Sequence, residues 1–352
     1  MNPVVQSLTD LLGRLGLIPE LRSLVAFLIL LAVVLAVVAG TLALAVRRRW
    51  TSRSTAAFWL FVFPWVFGFA LFTLGPMAYS LWLSFLHWNL IDPPTFAGTA
   101  NYESAVHDPL LRQAVKVTLV YAVLSVPLQT LLSLAVALLM NTQVRGIHVF
   151  RTIWYLPSLV TGVAQTVLFL WVFNPEYGLV NGLLADIGIK GPAWFQDPDW
   201  ALPAAVLMSL WSVGGNMIIY LAGLQDVPND LYEAAALDGA GRVRQLWHIT
   251  LPQISPVIFF NVVTGLIAAM QTFTQGYVVR QAGGAPSNSL LFYVYYLYQN
   301  GFQFFRMGYA SALAWILLVM ILALTALVFR GSAFWVYYES ASPRSRRSRV
   351  RS

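Results

Sequence analysis

Cysteine is missing altogether from the 352 residues, so no disulfide, thiolate nucleophile, cysteine-held zinc or iron–sulfur cluster can form in this chain. Lysine is nearly missing too. Lys116 and Lys190 are the only two, neither sits in a glycine-rich loop entering a helix, and no G-x-x-x-x-G-K-[ST] string occurs. The chain therefore lacks the phosphate-cradling loop that such ATP sites use. Charge is scarce, at 10% of residues, against roughly a quarter in soluble globular chains. With 59% of residues hydrophobic a soluble fold is excluded, because a body of this size cannot hide so much apolar surface from water. His87, His107, His148 and His248 are scattered without ligand spacing, and no metal site is expected.

What the sequence does have is long apolar runs. Seven charge-free stretches reach the ~20 residues that cross a bilayer core as helix: 24–46, 58–86, 117–140, 152–173, 201–224, 254–273 and 307–329. The expected fold class is all-α, a polytopic membrane helix bundle. Pro64 and the Gly75-Pro76 pair predict a kink or an early exit in the second stretch. The ionisable group that ion-coupled carriers and proton pumps place inside a span is absent from all seven.

Basic residues separate the two sides of the membrane. Segments 47–57, 141–151, 225–253 and 330–352 hold 14 of the 21 Lys and Arg residues, while the alternate segments hold seven, together with nine of the 14 acidic residues. The positive-inside rule puts the first set in the cytoplasm, the C-terminus with it, and the N-terminus outside. Arg47-Arg48-Arg49 follow the first stretch instead of preceding it, so that stretch reads as a retained anchor, not a signal peptide. The net charge of +7 is thus a matter of topology and of contact with membrane lipid, and no nucleic acid is expected as a partner.

Loop 225–253 carries the most specific pattern. Asp230 and Glu233 have capping-box spacing, with Pro228 upstream and alanines following, which predicts a short helix over 229–238. Asp238-Gly239 predicts a stop and a turn. Val243, Leu246, Trp247 and Thr250 then recur at helical spacing until Pro252, which is expected to end the run. The outcome is a helix–turn–helix bracket with a small-residue face at Ala234 and Ala235. On the residues alone it is either a joint for another protein or an amphipathic loop lying on the membrane.

Glu233, Ala234, Ala235, Gly239, Ile249, Leu251 and Pro252 reproduce the spacing E-A-A-x3-G-x9-I-x-L-P. In this the chain resembles the permease subunits of type I binding-protein-dependent ABC importers. Met217 to Gln225 before the loop, Pro256 after it and Met307 to Ala312 at the last stretch resemble the carbohydrate branch, in particular the larger permease of maltose, glycerol-phosphate and multiple-sugar importers. The resemblance runs over residues 58–330. It departs at 1–50, outside the six-span core, and at Arg280 to Pro286, where the family has Thr followed by Gly-Gly-Pro.

The resemblance implies a six-span type I importer core plus one extra N-terminal span. Residues 1–50 form the extension, 58–112 the first core span with its outer loop, 113–330 the permease domain with coupling loop 225–253, and 331–352 a basic cytoplasmic tail. It implies a multi-pass subunit of a prokaryotic inner membrane that forms half a pore with a second permease subunit. Two ATPase subunits and an external solute-binding protein delivering sugar or oligosaccharide complete the assembly. ATP and magnesium then bind in the ATPase subunits, with no cofactor on this chain, which is not itself an enzyme. Glu233, Ala234, Ala235, Asp238, Gly239, Ile249, Leu251 and Pro252 form the joint with the ATPase.

Met208, Trp211, Ser212 and Gly215 fall at i, i+3, i+4 and i+7 and share one helix face. By resemblance this face lines the sugar pathway, with Leu266, Ala269, Met270 and Phe273 opposite and Gln271 nearby. On the residues alone the same stripe is ordinary helix packing. The aromatics of loop 274–306 read as an interfacial belt or as a platform for the binding protein or the sugar. Two rival functions remain at this point. The same machine for a polyamine or glycerol phosphate would, for a phosphate, want pore-facing cations, and only Arg280 and Arg306 at the outer edge offer themselves. A polytopic transferase would cluster carboxylates or histidines at one membrane face, whereas the acidic residues here are dispersed.

Overall fold

The computed structural model describes residues 40, 41, 44, 46–48, 52–142 and 144–337. The expected span 24–46 lies outside these apart from residues 40, 41, 44 and 46, as does the basic tail beyond 337. The chain divides into two compact units, residues 1–82 and 83–352.

In the first unit α1 (Arg53–Phe69) opens on Ser52, whose hydroxyl accepts the Thr55 amide at 3.1 Å. A five-residue π-turn, Ala70–Leu74, leads into α2 (Gly75–Leu83), and the whole run is long and apolar enough to cross a membrane. Neither Pro64 nor Pro76 ends it. The widened turn lies just ahead of Pro76, whose ring would otherwise press on the carbonyl four residues back. The expected kink is thus realised as a local change of helix pitch.

The second unit is helical except for β1 (Leu86–His87) and β2 (Thr95–Phe96), an antiparallel pair with Leu86 opposite Phe96. After α3 (Ala100–His107) comes α4 (Pro109–Met140), whose 32 residues span about 48 Å at 1.5 Å per residue. Its start is doubly determined: Pro109 needs no amide partner, and the Asp108 carboxylate accepts the amides of Leu110 and Leu111. Stretch 152–173, expected as one span, is α5 (Ile147–Tyr155), a 3₁₀ turn (Leu156–Leu159) and α6 (Gly162–Val172), bent by 98°. Pro157 sits in the 3₁₀ turn and Val160 leaves helical geometry at ψ 131°, which breaks the run. Then follow α7 (Leu179–Asp186), α8 (Pro198–Ser209), a 3₁₀ turn (Leu210–Ser212) and α9 (Gly214–Gln225), with a 50° bend between the last two helices.

The bracket comprises α10 (Asn229–Leu237) and α11 (Arg242–Gln245), continued by a π-turn (Leu246–Thr250) and α12 (Leu251–Gln253). The chain closes with α13 (Ser255–Met270), α14 (Thr274–Gln281), α15 (Tyr293–Tyr298) and α16 (Met307–Ser332). Among the described residues four helical runs reach span length, and six if each bent pair is one span.

Helix α4 is the hub, packing on α8, α9, α13 and α15. Lipid tails are as apolar as leucine, so helices in a membrane gain from close fit more than from escaping their solvent. Ala201, Ala204 and Ala205 on α8 are fully buried, which is how small side chains achieve that fit. One core gathers Tyr121, Met208, Met270, Phe292, Tyr293 and Leu313; a second, beside the bracket, gathers Met140, Met217, Tyr220, Leu224 and Ile254.

The aromatic loop departs from the expected belt. Phe292, Tyr293, Tyr295 and Tyr296 are buried core residues, and only Phe302, Phe304 and Phe305 remain exposed. Their polar tips find partners: the Tyr293 hydroxyl donates to the Leu313 carbonyl at 2.8 Å, and those of Tyr296 and Tyr309 donate to Asp108. Burial pushes the Asp108 carboxyl up, but the hydrogen bonds from the two tyrosines and from the Leu111 and Leu110 amides win and hold it below its ordinary range. Asp108 thereby ties the starts of α4 and α16 to α15.

Candidate functional site

Two places in the second unit collect the residues singled out by the sequence. The first is the bracket. Helix α10 begins two residues earlier than the capping box requires: Pro228 is the N-cap and makes no side-chain cap, so Asp230 sits inside the first turn, where its charge favours the helix dipole. The box itself does not form. At the other end the turn is realised in full. Gly239 has φ +78°, its amide reaches the Ala236 carbonyl at 3.0 Å, and the Ala240 amide reaches Ala235 at 2.8 Å. This paired closure needs a left-handed residue, which glycine adopts without strain.

Pro252 does not end the second arm. The π-turn precedes it by two residues, and α12 carries the helical path on to α13, as the π-turn of α1–α2 does at Pro76. The arms are locked by the Tyr232 hydroxyl against Thr250 at 3.0 Å and by Gln245 donating to the Ala240 carbonyl at 3.0 Å. Tyr232, Ile249 and Leu251 pack on the second core and fix the bracket to the bundle. Glu233, Ala234, Asp238 and Gly239 are exposed, Ala235 is half-buried, and Leu237, Val243 and Trp247 stand out at 91%, 72% and 64% exposure. The expected apolar stripe of the second arm therefore splits: Val243 and Trp247 point outward, while Thr250 is buried.

The second place is a cavity of about 430 Å³ between α4, the α8–α9 break and α13. Tyr121, Ser125 and Gln129 line it from α4, Ser209, Ser212 and Asn216 from the break, and Thr264, Ala268, Ala269, Thr272 and Gln275 from α13 and beyond. No Asp, Glu, Lys, Arg or His is among its lining residues. Ser125 Oγ and Gln275 Oε1 make no hydrogen bond within the chain. The break that shapes one wall is internally satisfied: Gln165 Nε2 donates to the Met208 carbonyl at 2.9 Å and to Ser212 Oγ at 3.1 Å, and Ser133 donates to the Val213 carbonyl at 3.2 Å. Gly214 permits the close approach of α5, since a Cβ there would run into the Trp154 carbonyl.

Of the residues expected along the pathway, Ser212 and Ala269 line this cavity. Met208 and Met270 are fully buried in the first core, Leu266 and Phe273 pack against it, and Gln271 is exposed just past α13. Trp211 meets Phe169 edge-on at 5.8 Å, and Phe273 stacks on Tyr277 at 5.3 Å. A Cβ at Gly215 would meet Ser158 Cβ at 3.9 Å, an ordinary contact. The 3₁₀ turn interrupts the helical phase here, and of positions 208, 211, 212 and 215 Ser212 alone lines the cavity. The stripe Tyr121, Ser125, Gln129, polar and spaced by four inside an apolar run, is the sequence signal for this wall.

Known proteins agree with this architecture. Residues 117–334 match the family described as binding-protein-dependent transport system inner membrane component. The chain is 39% identical over 297 residues to the probable ABC transporter permease protein YesP of Bacillus subtilis, covering 84% of this chain and 96% of that one. It is 34% identical over 268 residues to the sulfoquinovosyl glycerol transport system permease protein SmoG of Agrobacterium fabrum, covering 74% and 85%. In fold it is similar, with a TM-score of 0.68 and 24% identity over 82% of this chain and 95% of the other, to a chain of a bacterial alginate ABC transporter crystallised with an alginate pentasaccharide-bound periplasmic protein. The chain belongs to the inner-membrane permease components of binding-protein-dependent ABC transport systems.

Proposed function

We propose that this permease carries a sugar or oligosaccharide, forming half of the pore beside a second permease subunit, with two ATPase subunits seated on the bracket and an external binding protein delivering the cargo. One observation carries the cargo assignment: besides Val126, Gly265, Ala268 and Ala269 the cavity is lined by hydroxyl and amide side chains, with no ionisable acid or base apart from the Tyr121 phenol. Those groups match the hydroxyls of a carbohydrate, and the names of relatives such as the lactose permease LacF of Rhizobium radiobacter and the arabinooligosaccharides permease AraP of Bacillus subtilis point to the same class. A charged cargo such as glycerol phosphate finds no cation in this wall, and a counter-charge for it would have to come from the second permease.

The seven charge-free stretches hold no ionisable group that could couple transport to an ion, so an outside motor must bias the two states of the pore. The exposed surface of the bracket, apolar at Leu237 and Val243, acidic on α10 and basic at Arg242 and Arg244 on α11, is rigidly tied to the bundle and suits such a motor; on this reading Glu233, Ala234, Ala235, Asp238, Gly239, Ile249, Leu251 and Pro252 form or support the contact. By the charge asymmetry the bracket and the C-terminus are cytoplasmic and the N-terminus is outside. The cargo test is calorimetry on the binding protein encoded beside this chain, followed by uptake of its ligand into vesicles holding the co-expressed subunits. A sugar that binds and is taken up only when ATP is present supports the proposal; a non-carbohydrate ligand overturns the cargo. A fluorescent protein fused after Ser352 should fluoresce in the cytoplasm, and a dark fusion overturns the orientation.

A further inference from the structure

A groove of about 620 Å³ runs along α4 near its start, where α16 contributes Ile316. Its walls are apolar, with Val106, Val115 and Leu119 prominent, and its only charged members are Arg112 and Lys116. These lie at i and i+4 on α4, so their side chains are neighbours on one helix face. Lys116 is about 10 Å along the helix from Pro109 and directly precedes the charge-free stretch 117–140, at whose edge a bare cation is costly unless it reaches up to the interface or meets an anion. Among the described residues it has neither a hydrogen bond nor an ion pair, and the two nearest acids in sequence are engaged: Asp108 by two tyrosines and two amides, Glu103 by Thr99 at 2.7 Å. Arg112 spends one nitrogen on the Val106 carbonyl at 2.9 Å, which holds its guanidinium at the groove mouth.

We propose that this groove binds an anionic glycerophospholipid, its phosphodiester between Arg112 and Lys116 and an acyl chain lying against Val115, Leu119 and Ile316. The charge argument selects the occupant. An apolar slot that carries two adjacent cations and no acid asks for one molecule that is apolar along most of its length and singly anionic at one end, which a diacyl phosphodiester lipid is. The lipid sits in the leaflet on the side of loop 84–108, and it neutralises a cation that would otherwise weaken the start of α4, the helix on which α8, α9, α13 and α15 pack. The site rests on α4 being a span and not on the identity of the cargo, so binding is read without transport.

The test is native mass spectrometry of the full chain, purified with its co-expressed subunits, delipidated and titrated with dioleoyl phosphatidylglycerol or dioleoyl phosphatidylcholine. Phosphatidylglycerol should be retained about tenfold or more over phosphatidylcholine, and Arg112→Gln with Lys116→Gln should remove that preference. Leu119→Trp, which fills the slot and leaves both cations, should lower phosphatidylglycerol retention while inorganic phosphate at millimolar concentration fails to compete. Equal retention of the two lipids overturns the proposal, as does unchanged preference in the double variant. So does competition by phosphate, or loss of the lipid only when the second permease is present, which would show the groove to be a protein contact. Should the double variant fail to assemble, Leu119→Trp decides alone: unchanged retention refutes the site.

Discussion

At the bracket Leu237, Val243 and Trp247 stand in the open, whereas around the cavity Ser125 Oγ and Gln275 Oε1 are enclosed without a hydrogen-bond partner. The two regions leave opposite debts. Exposed apolar surface gains about 25 cal/mol per Å² when another body covers it, and an enclosed polar atom recovers about 1–3 kcal/mol when it finds a partner. The first debt is met by a shape-complementary protein, the second by a solute rich in hydroxyls. One chain thus presents a docking surface and a passage that respond to different partners, and variants in the two regions should fail in different ways.

The largest effect should come from the bracket turn. Gly239→Asp forces a side chain into φ +78° and places a charge on the contact, so uptake should drop at least about tenfold while the amount of chain in the membrane is unchanged. Co-purification of the ATPase should fall with it; full uptake with normal ATPase recovery would remove the bracket from the docking site. Next, Leu237→Ser combined with Val243→Ser should weaken ATPase binding by about 5- to 30-fold, measured on immobilised permease, with the cavity's cargo preference untouched. A changed cargo preference would mean that the two regions are not separable.

A smaller effect is expected at the cavity, with a sign that sharpens the contrast. Ser125→Ala removes an enclosed oxygen that makes no hydrogen bond of ordinary geometry within the chain and has the Tyr121 phenol as its polar neighbour, so the thermal midpoint of the purified complex should stay level or rise while the KM for uptake increases by about 5- to 10-fold. A lowered midpoint with unchanged KM would make Ser125 a structural residue. The smallest is the edge-on pair of Trp211 and Phe169. A double-alanine cycle should show about 0.5–1.5 kcal/mol of coupling in stability, with uptake per assembled complex within about twofold of wild type. If Trp211→Ala instead alters which sugar is carried at constant stability, the cavity wall extends to Trp211.

The bracket was readable because its determinants are local. A glycine that must be left-handed, a proline and a carboxylate at fixed offsets do their work within a few residues of each other, and family resemblance attaches to the same positions. Even there the reading slipped where two local rules competed: Pro228 took the N-cap that the Asp230 spacing suggested, and a widened turn let the helix pass Pro252. The cavity was harder because it is assembled from three parts of the chain. A helical wheel assumes unbroken phase; with the 3₁₀ turn at Leu210–Ser212 in between, Met208 lies in the core while Ser212 and Asn216 reach the wall. Likewise the aromatic run 292–298 looked like an interfacial belt by composition. Its return into the bundle depends on long-range partners, Thr118, Leu313 and Asp108, that no local pattern announces.

The π-turn at Leu246–Thr250 also sets a phase relation. From Arg242 to Met270 the chain follows a nearly unbroken helical path, with Val243 and Trp247 near one end and Thr264 and Ala268 at the cavity. Each residue advances such a path by about 100°, so the one additional residue that a π-turn accommodates is an angular offset between the surface that meets a motor and the surface that meets the cargo. Removing a single residue from this turn would leave every side chain of both surfaces in place chemically and yet rotate one against the other by more than a quarter of a revolution. In this chain the count of residues between the two surfaces is as much a specification as their identity.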